Sequence, residues 1–230
     1  MAGEQAVYTG REILKHVDHT LLKPTATLAD IEAVVEEAIA YKTASVCIPP
    51  RFIKPIKLKY KDAVPLCTVI GFPLGYATTA VKVFETQQAL LDGADEIDMV
   101  IPLGPVKTQQ YEIIEDEIRA IKDACGTHVL KVIVETCYLS DIEKVKLAQA
   151  VTAAGADFIK TSTGFGTGGA TVEDVSLLKT LVGAKVGVKA SGGIRTTEDM
   201  VAMLRAGATR IGASAAVGLL KDKLDEVIDG

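Results

Sequence analysis

The chain has 230 residues, 48% of them hydrophobic, and a formal net charge of -5. This length and composition support a large core, and barrels of roughly 250 residues commonly form one domain. The positive charges are scattered and the pI is about 5.3, so the sequence lacks the basic footprint of a nucleic-acid-binding protein and favours small-molecule partners.

Apolar stretches are interrupted by charges, Gly or Pro well before the roughly 18 residues that a membrane span requires. The N-terminal stretch contains acidic side chains and no apolar signal-peptide core. We therefore expect a cytoplasmic protein that does not associate with membranes. The four cysteines lack C-x-x-C spacing and are expected to be buried free thiols: Cys47, Cys67, Cys125 and Cys137.

Short β-branched runs alternate with longer amphipathic segments along the chain. We expect strands over residues 17–21, 45–48, 66–70, 96–100, 129–134, 157–160, 186–189 and 210–212. Helices are expected between them, most clearly over 28–41, 77–91, 111–124, 142–154, 172–181 and 198–206. Strands rich in Val and Ile on both faces belong in a covered parallel sheet. About eight such units predict an α/β protein with a single (β/α)8 TIM barrel over residues 1–230, with an open doubly wound sheet as the alternative.

Both ends of the predicted helices carry a recurring signal. A Gly-Ala-x-x-Ile pattern follows three helices, at 93–97, 155–159 and 207–211, and gives the next strands a common register. We expect capping boxes at the starts of four helices. In a capping box, a hydroxyl accepts from the backbone amide of an acidic residue three positions later, and that acid accepts from the backbone amide of the hydroxyl residue. The four boxes are Thr27 with Asp30, Ser140 with Glu143, Thr171 with Asp174, and Thr196 with Asp199.

The shared pattern places Asp98, Lys160 and Gly212 immediately after its Ile. If that Ile faces the helices, these residues face the barrel interior on one level, near the strand ends where such barrels carry their active sites. Lys189 ends the neighbouring strand, about 4.8 Å away between main chains. Repulsion between two ammonium groups and burial both favour a neutral amine, so Lys160 or Lys189 is predicted to form a Schiff base. A structural Lys–Asp ion pair is the alternative, but it does not explain two lysines.

Glycine-rich turns follow the same strands, at residues 161–164, 191–193 and 212–214. Small residues let backbone amides approach an anion, and the loops after the last two strands of such barrels often bind phosphate. Any one of these turns is explained by a tight turn alone. Three at one face predict a phosphorylated substrate.

Five segments, in order along the chain, resemble segments of the deoxyribose-phosphate aldolase family, and the resemblance covers almost the whole sequence. The segment at 158–164 resembles the family's active-site lysine segment. The five are DHT at 18–20, VCIPPRF at 46–52, EIDMV at 96–100, FIKTSTG at 158–164 and KASGGIR at 189–195.

This resemblance implies a lyase of deoxyribonucleotide catabolism that reversibly cleaves 2-deoxy-D-ribose 5-phosphate to acetaldehyde and D-glyceraldehyde 3-phosphate, without metal or cofactor. It leaves homo-oligomerisation open. Lys160 matches the Schiff-base lysine, Lys189 the second lysine that perturbs it, and Asp98 the carboxylate of a proton relay. By the same matching, the phosphate is surrounded by Gly164, Gly192, Gly193, Arg195, Gly212 and Ser214, and the sugar end is lined by Asp18, Thr20, Cys47 and Thr163.

The chain departs from some relatives at three points. Ala215 stands where some have a second serine, Phe165 replaces a lysine seen near the phosphate in others, and the sequence lacks a C-terminal tyrosine that assists proton transfer. We therefore expect phosphate affinity to depend more on Arg195 and backbone amides, and turnover to be slower.

Several other signals are discounted. His16, Asp18 and His19 lack further ligands for a metal site, and Lys131 is expected at the far end of its strand. Lysines 54, 57, 59 and 61 fit the solvated face of a short helix. The remaining alternatives are another phosphosugar barrel aldolase or isomerase, and a phosphosugar-binding protein without activity.

Overall fold

The structure is a computed structural model and describes residues 6–228. The strands are β1 (Tyr8–Thr9), β2 (Val17–Thr20), β3 (Ser45–Cys47), β4 (Leu66–Ile70), β5 (Glu96–Val100), β6 (Val129–Ile133), β7 (Phe158–Lys160), β8 (Gly187–Ser191), β9 (Arg210–Ala213) and β10 (Val227–Ile228). The helices are α1 (Gly10–Leu14), α2 (Leu28–Tyr41), α3 (Ile53–Tyr60), α4 (Thr79–Leu91), α5 (Leu103–Lys107), α6 (Tyr111–Cys125), α7 (Asp141–Ala153), α8 (Val172–Leu181), α9 (Thr197–Arg205) and α10 (Ala216–Leu220). Two 3-10 turns cover Pro50–Phe52 and Thr136–Tyr138.

Strands β2 to β9 are parallel and close into a barrel in chain order, with β9 hydrogen-bonded to β2. The predicted (β/α)8 barrel is confirmed, and the open doubly wound alternative is wrong. The strands are apolar toward the surrounding helices: Ile97, Ile159 and Ile211, which share the repeated pattern, are fully buried in the main core cluster. No helix among residues 6–228 is long and apolar enough to cross a membrane.

The expected element boundaries agree with the structure to within two residues. Three of the four predicted capping boxes form completely, at the starts of α2, α7 and α9. At α8 only half forms: Thr171 accepts from the Asp174 amide, while the Asp174 carboxylate lies 2.6 Å from Lys144. The antiparallel pair β1–β10 and the five-residue helices α1, α5 and α10 were not predicted, because they lie outside the strand–helix repeat and are too short for a periodic signal.

The barrel interior is unusually polar. Tilted strands place interior side chains in layers of four, contributed by alternate strands, and branched apolar residues usually fill them. The register here gives a lower layer of Ser45, Glu96, Phe158 and Arg210, a middle layer of Asp18, Cys67, Lys131 and Lys189, and an upper layer of Cys47, Asp98, Lys160 and Gly212. Asp98, Lys160 and Gly212 therefore share a level, as the repeat predicted. Charged groups occupy all three layers.

Candidate active site

A cavity of about 280 Å³ opens at the C-terminal ends of the barrel strands. Its walls are the turns after β2, β7, β8 and β9. It is lined by Thr20, Leu21, Leu22, Lys23, Lys160, Thr163, Gly164, Phe165, Ser191, Gly192, Gly193, Ile194, Gly212, Ala213 and Ser214. Lys160 thus joins this cavity to the charged interior of the barrel.

Asp98 is the centre of the interior charge cluster. One of its oxygens, Oδ2, accepts from Lys160 Nζ at 2.8 Å and from Lys189 Nζ at 2.6 Å. The other oxygen accepts from Lys131 Nζ at 2.9 Å. Asp98, Lys131 and Lys189 are completely buried, and Lys160 is 3% exposed. The carboxylate therefore bridges the lysine at the cavity to the two lysines below it.

The expectation that Lys131 lies away from the chemistry was wrong. Lys131 is beside Asp98 in the strand register and points into the barrel. Its Nζ also lies 2.5 Å from Glu96. The alternation along β6 was the available signal, because Lys131 shares the face of Ile133, which is beside Lys160.

The remaining charges of the cluster come from β2, β5 and β9. Asp18 forms an ion pair of 2.5 Å with Lys189. The Arg210 guanidinium binds both Asp18 and Glu96, with its Nη2 2.7 Å from Glu96 Oε2. Four basic side chains thus meet three carboxylates in a nearly water-free interior, where charges are tolerated only when paired.

The cluster shifts the pKa values of its members in opposite directions. Burial alone raises the pKa of the Asp98 carboxyl, but Lys131, Lys160 and Lys189 outweigh it and hold that pKa well below its usual range. Burial lowers the pKa of Lys189, but Asp18 and Asp98 outweigh it, so the pKa is raised. The two carboxylates beside Lys189 thus favour its protonated form, whereas the sequence left Lys160 and Lys189 both open as the nucleophile. This leaves Lys160 as the candidate.

The predicted binding residues fall into two groups. Seven of them line the cavity together with Lys160: Thr20, Thr163, Gly164, Gly192, Gly193, Gly212 and Ser214. Three do not. Asp18 and Cys47 are fully buried and do not line the cavity, and Arg195 has an exposed side chain outside the cavity lining.

The turn after β8 presents backbone to the cavity. Gly192 and Gly193 have φ angles of +79° and +78°, a region that L side chains rarely adopt. The turn after β7 approaches so closely that a Cβ on Gly169 would lie 2.2 Å from the Gly192 carbonyl oxygen. Consecutive amides in such turns form concave anion sites. The expected phosphate end is therefore built from main chain that only glycine allows.

Sequence reasoning missed a carboxylate that holds the turn after β7. Glu135 has a φ of +57° and is 3% exposed. Its oxygens accept from the Thr163 amide at 3.2 and 3.3 Å and from the Thr163 hydroxyl. Phe165, two residues on, packs edge-to-face on Phe72 with ring centroids 5.3 Å apart. A non-glycine residue with positive φ beside a catalytic loop has no short sequence signature.

Thiol and carboxylate groups in the barrel also lie close enough together to hold a metal ion. The two groups are Cys47, Cys67 and Asp98, and Asp18, Cys67 and Glu96. Lys131 Nζ already lies 3.4 Å from the Cys67 sulfur, and the same ammonium pairs with Asp98 and Glu96. Ammonium groups therefore supply the positive charge that a metal would bring.

Known proteins share this architecture over nearly the whole chain. A family model described as DeoC/LacD family aldolase matches residues 12–222. The chain is 57% identical over 210 residues to a deoxyribose-phosphate aldolase of Clostridium botulinum, covering 91% of this chain and 95% of that protein. It is 51% identical over 213 residues to one from Clostridioides difficile, covering 93% and 97%. The structure resembles a tetrameric deoxyribose phosphate aldolase from Aeropyrum pernix, with a TM-score of 0.86, 38% identity and coverage of 93% and 92%.

Fold, site and relatives agree on the class of protein. It is an aldolase, a lyase built on a (β/α)8 barrel. The chain belongs to the DeoC/LacD aldolase family.

Proposed function

We propose that this aldolase reversibly cleaves 2-deoxy-D-ribose 5-phosphate to acetaldehyde and D-glyceraldehyde 3-phosphate, through a Schiff base on Lys160. The observation that carries the proposal is the position of Lys160: of the four bases in the cluster, it alone lines the cavity. A substrate carbonyl in the cavity can reach this amine and none of the other three. The named relatives, deoxyribose-phosphate aldolases, support the choice of substrate.

The charge balance of the cluster supports Lys160 as the nucleophile. With every group ionised, four positive charges face three negative ones. Loss of one proton makes the buried cluster neutral overall, and an unbalanced charge in low dielectric is costly. Lys189 and Lys131 are each held by two or more carboxylates. Lys160 pairs with Asp98 alone, so it is held by fewer carboxylates than the other two lysines.

Cleavage then follows from amine chemistry. The neutral Nζ attacks the C1 aldehyde of the open-chain sugar, and loss of water gives an iminium. A base removes the proton of the C3 hydroxyl, the C2–C3 bond breaks, and its electron pair moves into an enamine with the iminium nitrogen as the sink. C3 leaves as the aldehyde of glyceraldehyde 3-phosphate. Protonation of C2 and hydrolysis of the remaining iminium release acetaldehyde and restore Lys160.

Asp98 and Lys189 are placed to move protons at the nitrogen. Asp98 Oδ2 contacts both ammonium groups, at 2.8 Å and 2.6 Å. A proton can pass between Lys160 and this pair without crossing bulk solvent, and water in the cavity can extend the relay to C2 and the C3 hydroxyl. Lys189, held protonated, also opposes a second positive charge on Lys160.

The turns after β7, β8 and β9 form the phosphate end. Gly164, Gly192 and Gly193 bring backbone amides to the cavity, and Ser214 adds a hydroxyl. The proposed substrate lies across the cavity with its aldehyde at Lys160 and its phosphate at these turns, while Thr20 and Thr163 contact the sugar hydroxyls. Asp18 and Cys47 do not contact the substrate. Asp18 acts through its ion pair with Lys189, and Cys47 packs in the barrel layer that contains Asp98.

Borohydride trapping tests the proposal. The protein is incubated with acetaldehyde, reduced and digested, and the adduct is mapped by mass spectrometry, beside a coupled assay of acetaldehyde release from deoxyribose 5-phosphate. We expect one ethylated lysine, Lys160, and loss of both adduct and activity in Lys160→Ala. Lys146→Ala, which removes an exposed lysine of α7, is the matched control and should behave like wild type. An adduct elsewhere, or one that survives Lys160→Ala, would refute the assignment.

We further infer a cytoplasmic protein with one aldolase domain over residues 1–230, which acts on small molecules and not on nucleic acid. The four cysteines are free thiols, which persist in a reducing compartment. The barrel strands run from residue 17 to residue 213, so one barrel accounts for most of the given sequence.

A further inference from the structure

Lys23 lies in the turn after β2, which forms one wall of the cavity. Strand β2 is hydrogen-bonded to β9, so this turn is next to the turn that carries Gly212 and Ser214. The Leu21 amide donates to the Cys47 carbonyl at 3.0 Å and fixes the start of the turn. The first strand therefore delivers a lysine to the side of the cavity where the last strands deliver their amides.

The charges around the cavity favour an anion. Among its lining residues, Lys23 and Lys160 are the two cations, and none is acidic. Lys160 is committed to Asp98 at 2.8 Å. Lys23 forms no ion pair with any residue of the described range 6–228; Asp30 feels its charge, but the Asp30 carboxylate is bound to Thr27. Lys23 thus retains an ammonium group for a ligand.

Within the described residues 6–228, the cavity lining offers no further positively charged side chain at this end. Arg195 has an exposed side chain that does not line the cavity, and Phe165 is apolar and packs on Phe72. Amides and the Ser214 hydroxyl satisfy the hydrogen bonds of a phosphate but bring no full countercharge. A lysine acts on phosphate as a point charge on a flexible stem and needs no rigid geometry.

We propose that Lys23 is the cation that binds the substrate phosphate and sets the preference for phosphorylated over unphosphorylated sugars. This rests on the proposed function, because the phosphate is that of deoxyribose 5-phosphate. Lys23 approaches the phosphate from the β2 side, beside the turn after β9 that carries Gly212 and Ser214. It takes no part in the chemistry at Lys160.

The experiment compares wild type with Lys23→Gln, Lys23→Arg and Lys146→Gln, the last removing an equal charge from the outer surface of α7. Each protein is assayed with deoxyribose 5-phosphate and with deoxyribose, and titrated with inorganic phosphate by calorimetry. For Lys23→Gln we expect about a 10- to 100-fold rise in KM for the phosphorylated sugar, the size of a lost charge-assisted contact. kcat should change little, deoxyribose kinetics should not change, and phosphate should bind correspondingly more weakly. Lys23→Arg should remain within a few-fold of wild type.

An unchanged ratio of kcat/KM between the two sugars in Lys23→Gln, with unchanged phosphate affinity, would overturn the role of Lys23. An equal loss in Lys146→Gln would do the same, because it would show only long-range attraction. Failure of the wild type to release acetaldehyde would instead refute the proposed function, and the phosphate titration would still decide whether Lys23 binds the anion.

Discussion

Asp18 and Lys189 form a completely buried ion pair, with 2.5 Å between Asp18 Oδ2 and Lys189 Nζ. The carboxylate also holds Arg210. Resemblance placed Asp18 at the sugar, but the structure places it one layer lower, where it helps to keep Lys189 protonated. We therefore propose that Asp18 positions Lys189 below Lys160.

Asp18→Asn should therefore destabilise the protein strongly. It leaves Lys189 and Arg210 without one of their carboxylate partners, and breaking a buried pair typically costs about 3–5 kcal/mol. Urea unfolding measures the change. Asp225→Asn is the matched control, since Asp225 pairs with Arg11 at the surface, where both side chains are largely exposed and the expected cost is about 0–1 kcal/mol. Equal urea midpoints for the two variants would show that the buried ion pair stabilises the protein no more than the surface pair.

Glu135→Gln should weaken substrate binding by loosening the turn after β7. The glutamine keeps only one acceptor oxygen, so Thr163 loses its second acceptor and both of its contacts lose the negative charge of the carboxylate. If the contacts that hold this turn weaken by about 1–2 kcal/mol, the KM for deoxyribose 5-phosphate should rise roughly tenfold. The change in kcat should be smaller.

Steady-state kinetics of Glu143→Gln provide the comparison for Glu135. Glu143 belongs to the capping box of α7 and pairs with Lys107, so its variant should lose stability without a change in KM. If both variants shift KM equally, Glu135 acts only through general stability.

Lys82 and Glu117 form a second buried ion pair, between α4 and α6, with 2.5 Å between Nζ and Oε1. Lys82 also donates to the Val100 carbonyl at the end of β5, at 2.8 Å. Lys82→Met should cost about 3–5 kcal/mol because Glu117 remains buried without its partner. The double variant Lys82→Met/Glu117→Met should recover most of this loss in urea unfolding. No recovery would mean that Lys82 stabilises mainly through Val100.

Acid should destabilise the protein through the cluster. The pKa of Asp98 is held well below its unfolded value by three lysines, and the pKa of Asp18 is also lowered. An acid with a lowered folded pKa contributes stability that is present above its unfolded pKa, about 3.9, and is lost as the pH falls toward the folded value.

The free energy of unfolding, measured by urea between pH 7 and pH 3, should therefore begin to fall near pH 4 to 5. The free energy of unfolding of Asp98→Asn should fall less steeply, because this variant lacks one carboxyl group with a lowered pKa. The pKa values of Lys131 and Lys189 are raised. At alkaline pH, their contribution to the free energy of unfolding should therefore persist up to at least about pH 10. If the free energy of unfolding of the wild type falls with pH no more steeply than that of Asp98→Asn, this explanation is wrong.

Local chemistry was enough to predict the architecture. The Gly-Ala-x-x-Ile repeat predicted the register of three strands, and hence the common level of Asp98, Lys160 and Gly212, because side-chain alternation along a strand is a local property. Capping hydroxyls at Thr27, Ser140 and Thr196 likewise predicted helix starts. The box at Thr171 was only half right, because the competing partner of Asp174 is Lys144 from another helix.

The sequence by itself determined the barrel, the strand ends at which its chemistry lies, and a lysine pair beside an acid. Only the tertiary structure decided the charge state and accessibility of those groups. It brought Lys131, Arg210, Asp18 and Glu96 into one cluster with Asp98, placed Lys23 at the cavity, and left Arg195 outside its lining. The physical reason is that periodicity and capping act between near neighbours, whereas burial and Coulomb energy depend on which distant side chains share a water-poor space.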